Sequence, residues 1–97
     1  MNRITISETR FEKIADNTLK ISGVLGNISV DRKEESIAVV RISQIGDEFT
    51  VYFKAYSNIK KTIRNLYHFE TIEDAVMKAN EFTTLFITHG FKITSIN

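Results

Sequence analysis

Over residues 37–56 the chain reads IAVVRISQIGDEFTVYFKAY, with apolar and polar positions alternating on either side of Gly46-Asp47. A β-hairpin turning at that pair sets Gln44 against Phe49, Ile42 against Val51, Val40 against Phe53 and Ala38 against Ala55. All but the first of these pairs are apolar on apolar, so this face is expected to meet the core. The opposite face pairs Ile45 with Glu48, Ser43 with Thr50, Arg41 with Tyr52 and Val39 with Lys54. It mixes aromatic and basic groups.

After residue 70 the period changes from two to 3.6, and a helix is predicted over 71–89. Ile72, Ala75, Val76, Ala79, Phe82, Phe86 and Ile87 share one arc of the wheel, with Lys78 and Glu81 opposite. Thr71 can cap the start with Asp74 answering it, and Glu70, Glu73 and Asp74 suit the positive end of the helix dipole. His89 is placed to help cap the end. Gly90 suits a left-handed residue just past it, with Phe91 folding back on the last turn. Strand alternation resumes over 91–96.

The rest of the chain is less regular. Residues 4–7 alternate as a short strand. Over 9–20 the reading favours two short strands meeting at Asp16-Asn17, since those residues suit turns. The competing reading is a helix from Thr9, with Glu12 completing a capping box. Gly23 and Gly26 interrupt an apolar run and suggest a bulge or tight turn. GVLG lacks the lysine and hydroxyl of a phosphate loop and the third glycine of a dinucleotide site. DRKEES, at 31–36, reads as a charged connecting loop. Ser57-Asn58 reads as a turn, and 59–69 as a third strand ending near Phe69, its imperfect alternation leaving a wide loop over part of the segment as the alternative.

Together these elements predict one α+β domain over 1–97: a single mostly antiparallel sheet of about five strands packed on one long C-terminal helix (71–89), with a short final strand (91–96). One helix can cover only one face of such a sheet. The other face must meet water, a partner or a second copy.

Composition narrows the function. Thirteen basic residues against twelve acidic give a net charge of +1 over 97 residues, less basic than a dedicated non-specific nucleic-acid binder. Absence of cysteine excludes disulfides, thiolate nucleophiles and thiolate-held metals. The N-terminal residues lack the apolar segment of a signal peptide, and no run approaches the ~20 apolar residues of a membrane helix. A cytoplasmic protein is expected. Heavy use of isoleucine, lysine, asparagine and threonine suits an AT-rich bacterial or phage genome.

Reaction chemistry is hard to find. His68 and His89 have no metal-ligand spacing between them, and no serine sits in a nucleophile elbow. Asp31, Glu34 and Glu35 could be imagined as a metal site, but Arg32 and Lys33 already neutralise them. Glu34-Glu35 and Glu73-Asp74 are explained by a charged loop and a helix start. No enzyme, cofactor or metal is expected. The stretch FETIEDA at 69–75, after a strand-rich region, resembles the DNA-binding modules of plant ethylene-response factors and the arm domains of phage integrases. It encodes a strand end and a capped helix. The chain lacks the tryptophan and the dense arginines of those families, so no site residue carries over.

The strongest functional signal is therefore the outer face of the hairpin. Arg41, Tyr52, Lys54 and Tyr56, joined by Lys60, Lys61 and Arg64 from the next segment, interleave aromatic and basic groups. Tyr and Arg are favoured interface anchors, which points to a protein-interaction module of inhibitor or adaptor type. The same residues suit nucleic acid through stacking and phosphate contacts, the alternative reading. A homodimer through this face is also open.

Overall fold

The computed structural model describes residues 2–23, 26–58 and 61–97, and over 15–23 and 27–32 it describes the backbone alone. In chain order the elements are β1 (Arg3–Gly23), β2 (Gly26–Ile45), β3 (Glu48–Ser57), β4 (Ile63–Phe69), α1 (Ile72–Thr88) and β5 (Lys92–Ile96). The strands form one antiparallel sheet in the order β4-β3-β2-β1-β5. From β4 at one edge, the chain passes through α1 to reach β5 at the other.

The central hairpin has the register its alternation predicts. Ala38 pairs with Ala55, Val40 with Phe53, Ile42 with Val51 and Gln44 with Phe49. Gly46 takes φ 60 while among the described residues no non-glycine residue has positive φ, the pattern of a two-residue turn with glycine at its first central position. Ala38, Val40, Ile42 and Val51 are buried beneath α1 with Phe11 of β1.

The helix supplies Ala75, Ala79 and Phe86 to the same core, with Ile72 and Phe82 packed against it. Small side chains at 75 and 79 let its first turns approach the strands closely. The phenylalanines then fill the wider space: Phe82 lies 4.4 Å from Phe53 between ring centroids, and Phe86 lies 5.3 Å from Phe11. Val76 and Ile87, placed by the wheel on the buried arc, are 40% and 50% exposed. They flank the 72, 75, 79, 82, 86 row, and a helix lying on a sheet buries a narrower stripe than the wheel allowed. Both ends of α1 are capped as expected. The Asp74 N–H donates to Thr71 Oγ1 at 3.2 Å. Gly90 takes φ 92, the Phe91 N–H reaches the Phe86 carbonyl at 3.0 Å, and the two rings stand 5.3 Å apart.

Two expectations fail in the N-terminal half. Residues 9–20 contain neither a turn at Asp16-Asn17 nor a helix. They belong to one long strand, in which Asp16 pairs with Lys33 and Asn17 with Arg32. Residues 31–36 are likewise part of β2 and not a loop. Cross-strand pairing overrides local turn preference here, because the two strands pair along their whole length in backbone register. Burial alternates as a strand requires: Glu34 and Ser36 are buried, whereas Lys33 and Glu35 are exposed. The connection between β1 and β2 instead lies beyond the Gly23–Gly26 pair, with Gly26 at φ 109. Of the GVLG stretch, Val24 and Leu25 lie outside the described residues.

β3 pairs along β2 only as far as Ser36, and β5 pairs along β1 only as far as Glu12. Beyond Ile14 and Glu35 the two long strands pair with each other alone, as a ribbon of about 30 Å at ~3.3 Å per residue. This accounts for dimensions of 65 × 21 × 17 Å. Asn58 fastens the point where β3 stops. Its N–H donates to the Glu35 carbonyl, its Oδ1 accepts from the Glu35 N–H, and its Nδ2 donates to the Lys33 carbonyl, all at 3.0–3.1 Å. Among the described residues no helix is long and apolar enough to cross a membrane.

Candidate functional site

Helix α1 covers one face of the sheet, so the side chains that alternate away from it stand on a face with no element over it. The strand registers place them in rows. Ile37, Val39, Arg41 and Ser43 of β2 oppose Tyr56, Lys54, Tyr52 and Thr50 of β3. On β4 the row continues with Arg64 beside Lys54, Leu66 beside Tyr52 and His68 beside Thr50. On β1, Glu8 lies beside Arg41 and Arg10 beside Val39. All of these except His68 line an open hollow of about 740 Å³. Ser43 and Thr50 among them are each only 3% exposed although α1 lies on the other face of the sheet.

Two tyrosines carry cations on their rings. The Arg41 guanidinium lies 5.3 Å from the Tyr52 ring centroid, and the Lys54 ammonium 5.0 Å from that of Tyr56. Glu8 joins Arg41 at 3.1 Å and Arg10 at 3.6 Å through the same oxygen, Oε1. It is the one carboxylate among the residues that line the hollow, against the cations Arg3, Arg10, Arg41, Lys54 and Arg64. Exposed apolar surface adjoins them at Ile37, Leu66 and Tyr56.

Of the residues singled out from sequence, Arg41, Tyr52, Lys54, Tyr56 and Arg64 come together in this hollow. Lys61 does not. It lines a second hollow, of about 330 Å³, on the helix side of the sheet beside Lys13, Glu34 and His89. Of the 59–69 stretch, expected to be strand in full or in part, Ile63–Phe69 forms β4, and Lys61 lies outside the strand row. Lys60 lies outside the described residues. Sequence reasoning missed Arg3, Glu8 and Arg10. Their signal was the spacing of two between Glu8 and Arg10, visible only once 9–20 is read as strand; the register shift between Thr5 and Ser7 displaces Arg3 from that spacing.

The histidines have local partners. His89 Nδ1 contacts the Leu85 carbonyl at 2.8 Å in the last turn of α1, and His68 Nδ1 lies 3.7 Å from Glu48. Among the described residues no group of three or more His, Cys, Asp or Glu could hold a metal ion. No protein-family model matches the chain, and neither a curated protein nor a solved structure matches it.

Proposed function

We propose that the protein is a non-enzymatic binding module that docks a partner protein on the helix-free face of its sheet. One observation carries this reading: Arg41 and Lys54 lie on Tyr52 and Tyr56 within an open hollow bordered by exposed apolar side chains. Tyrosine and arginine in a partly desolvated depression are the side chains that concentrate binding energy in protein interfaces. Docking on the face is favoured over strand addition at the β4 edge. There Asn65 Oδ1 accepts from the Leu66 N–H at 2.8 Å, which removes a donor that an added strand would use. An inhibitor or adaptor of bacterial or phage type, acting in the cytoplasm, fits such a module.

The excess of cations in the hollow favours nucleic acid as the second reading. Against it, the ring faces that bases would stack on already hold the protein's own cations.

The test is the double variant Arg41→Ala with Tyr52→Ala, compared with the wild type by affinity capture and quantitative mass spectrometry. The expected result is an unchanged fold by circular dichroism together with loss of the captured partner. Identical capture by both proteins would clear this face of a docking role. A gel shift with single- and double-stranded oligonucleotides at low salt decides the second reading, which falls if no shift occurs.

A further inference from the structure

Lys54 and Arg64 are direct cross-strand partners on β3 and β4. Like charges directly opposite in an antiparallel pair are destabilising. Among the described residues neither has a carboxylate within ion-pair distance, whereas Arg10 and Arg41 share Glu8. The two halves of the hollow therefore differ. On the β1–β2 side the cations are answered by an internal carboxylate. On the β3–β4 side the same chemistry is repeated without one. Glu8 shows what such a position accepts: one carboxylate oxygen held between two cationic side chains that stand on adjacent strands.

We infer that the Lys54–Arg64 pair receives carboxylates of an acidic segment of the partner protein. This rests on the docking reading above and adds the chemistry of the partner to it. Charge complementarity supplies the argument. The hollow has five cations against one carboxylate, in a chain whose net charge is only +1. Apolar Leu66 and Tyr56 border the pair, so the acidic groups would be flanked by apolar ones in the partner. Carboxylates of the partner would offset the like-charge pairing of Lys54 and Arg64 across the strands. Such a pairing is stability exchanged for affinity.

That exchange gives a test with two readouts. The full chain is titrated with octaglutamate at low salt and followed by amide chemical shifts, in the wild type and in Arg64→Glu. The wild type is expected to bind with shifts confined to β2, β3 and β4 around the hollow. Arg64→Glu, which places an acid opposite Lys54, is expected to weaken the peptide at least tenfold while raising the melting temperature. Arg64→Gln should fall between the two in both measurements. Unchanged peptide affinity in Arg64→Glu overturns the inference, as does a lowered melting temperature in a variant that remains folded. Tighter binding of octathymidylate than of octaglutamate at equal salt also overturns it, in favour of nucleic acid. Growth of mass with concentration, suppressed by Arg64→Glu, would make a second copy the acidic occupant and overturn it too. If these arms fail while Arg41→Ala with Tyr52→Ala still abolishes partner capture, the acidic chemistry falls and the docking face stands.

Discussion

Val39 and Val40 are the same side chain at adjacent positions of one strand, and they belong to different surfaces. Val40 is 3% exposed under α1, opposite Phe53 on β3 and Thr9 on β1, in a face whose buried cluster is apolar. Val39 points away from the helix, opposite Lys54 and beside Arg10, in a face where charge and apolar surface alternate. The strand geometry is common to both, so the difference arises from a single decision: which side the helix takes. The covered face holds the fold together, and the uncovered one is where the proposed partner would dock. On the docking reading, a residue's contribution to stability and its contribution to binding are separated by the period of two along the strand.

That separation can be broken deliberately. The largest effect is expected at Phe11, which has no solvent exposure and packs on Phe86. Phe11→Ala should cost about 3–5 kcal/mol in urea unfolding, a large part of the stability of a domain this size. A cost below about 1 kcal/mol would mean that β1 is not held in the core. Next comes the valine pair. Val40→Ala removes two buried carbons and should cost about 2 kcal/mol, whereas Val39→Ala should stay within about 0.5 kcal/mol. Equal costs for the two would contradict the assignment of faces.

The covered face was legible in the sequence because its signal is redundant. Alternation, a glycine turn and a helix with both caps each point to the same packing, and hairpin register and helix limits follow to within a residue. The N-terminal half was not, because its evidence is non-local. Asp16 and Asn17 favour a turn when judged by their neighbours in sequence, and DRKEES favours a loop. Their partners in the ladder lie 15 to 17 positions away, at Lys33 and Arg32, where no local rule looks. The candidate site inherits this division. Arg41, Tyr52, Lys54 and Tyr56 follow from the hairpin register, and Arg64 from the neighbouring strand. Arg3, Glu8 and Arg10 stayed hidden because the strand that carries them was read as broken. Lys61 was misplaced for a simpler reason, since basic residues close in sequence to a strand need not share its face.

Glu8 sharpens the comparison further, because it is where the uncovered face stabilises itself. Its carboxylate meets Arg41 and Arg10, with Glu8 and Arg41 side chains only 17% and 26% exposed, so the contact is partly shielded from water. Glu8→Gln keeps the shape and removes the charge. Loss of the ion pairs should lower stability by up to about 1 kcal/mol, less than Phe11→Ala or Val40→Ala. Binding should move the opposite way. Without Glu8 the five cations of the hollow face no internal acid, so octaglutamate should bind more tightly, with a steeper dependence on salt. Val40→Ala offers the contrast, as it should weaken the fold more than Glu8→Gln does and leave the affinity of the folded protein for the peptide unchanged. If Glu8→Gln were to weaken peptide binding, Glu8 would be holding Arg41 in its binding position over Tyr52, and the uncovered face would depend on internal positioning as much as the core does.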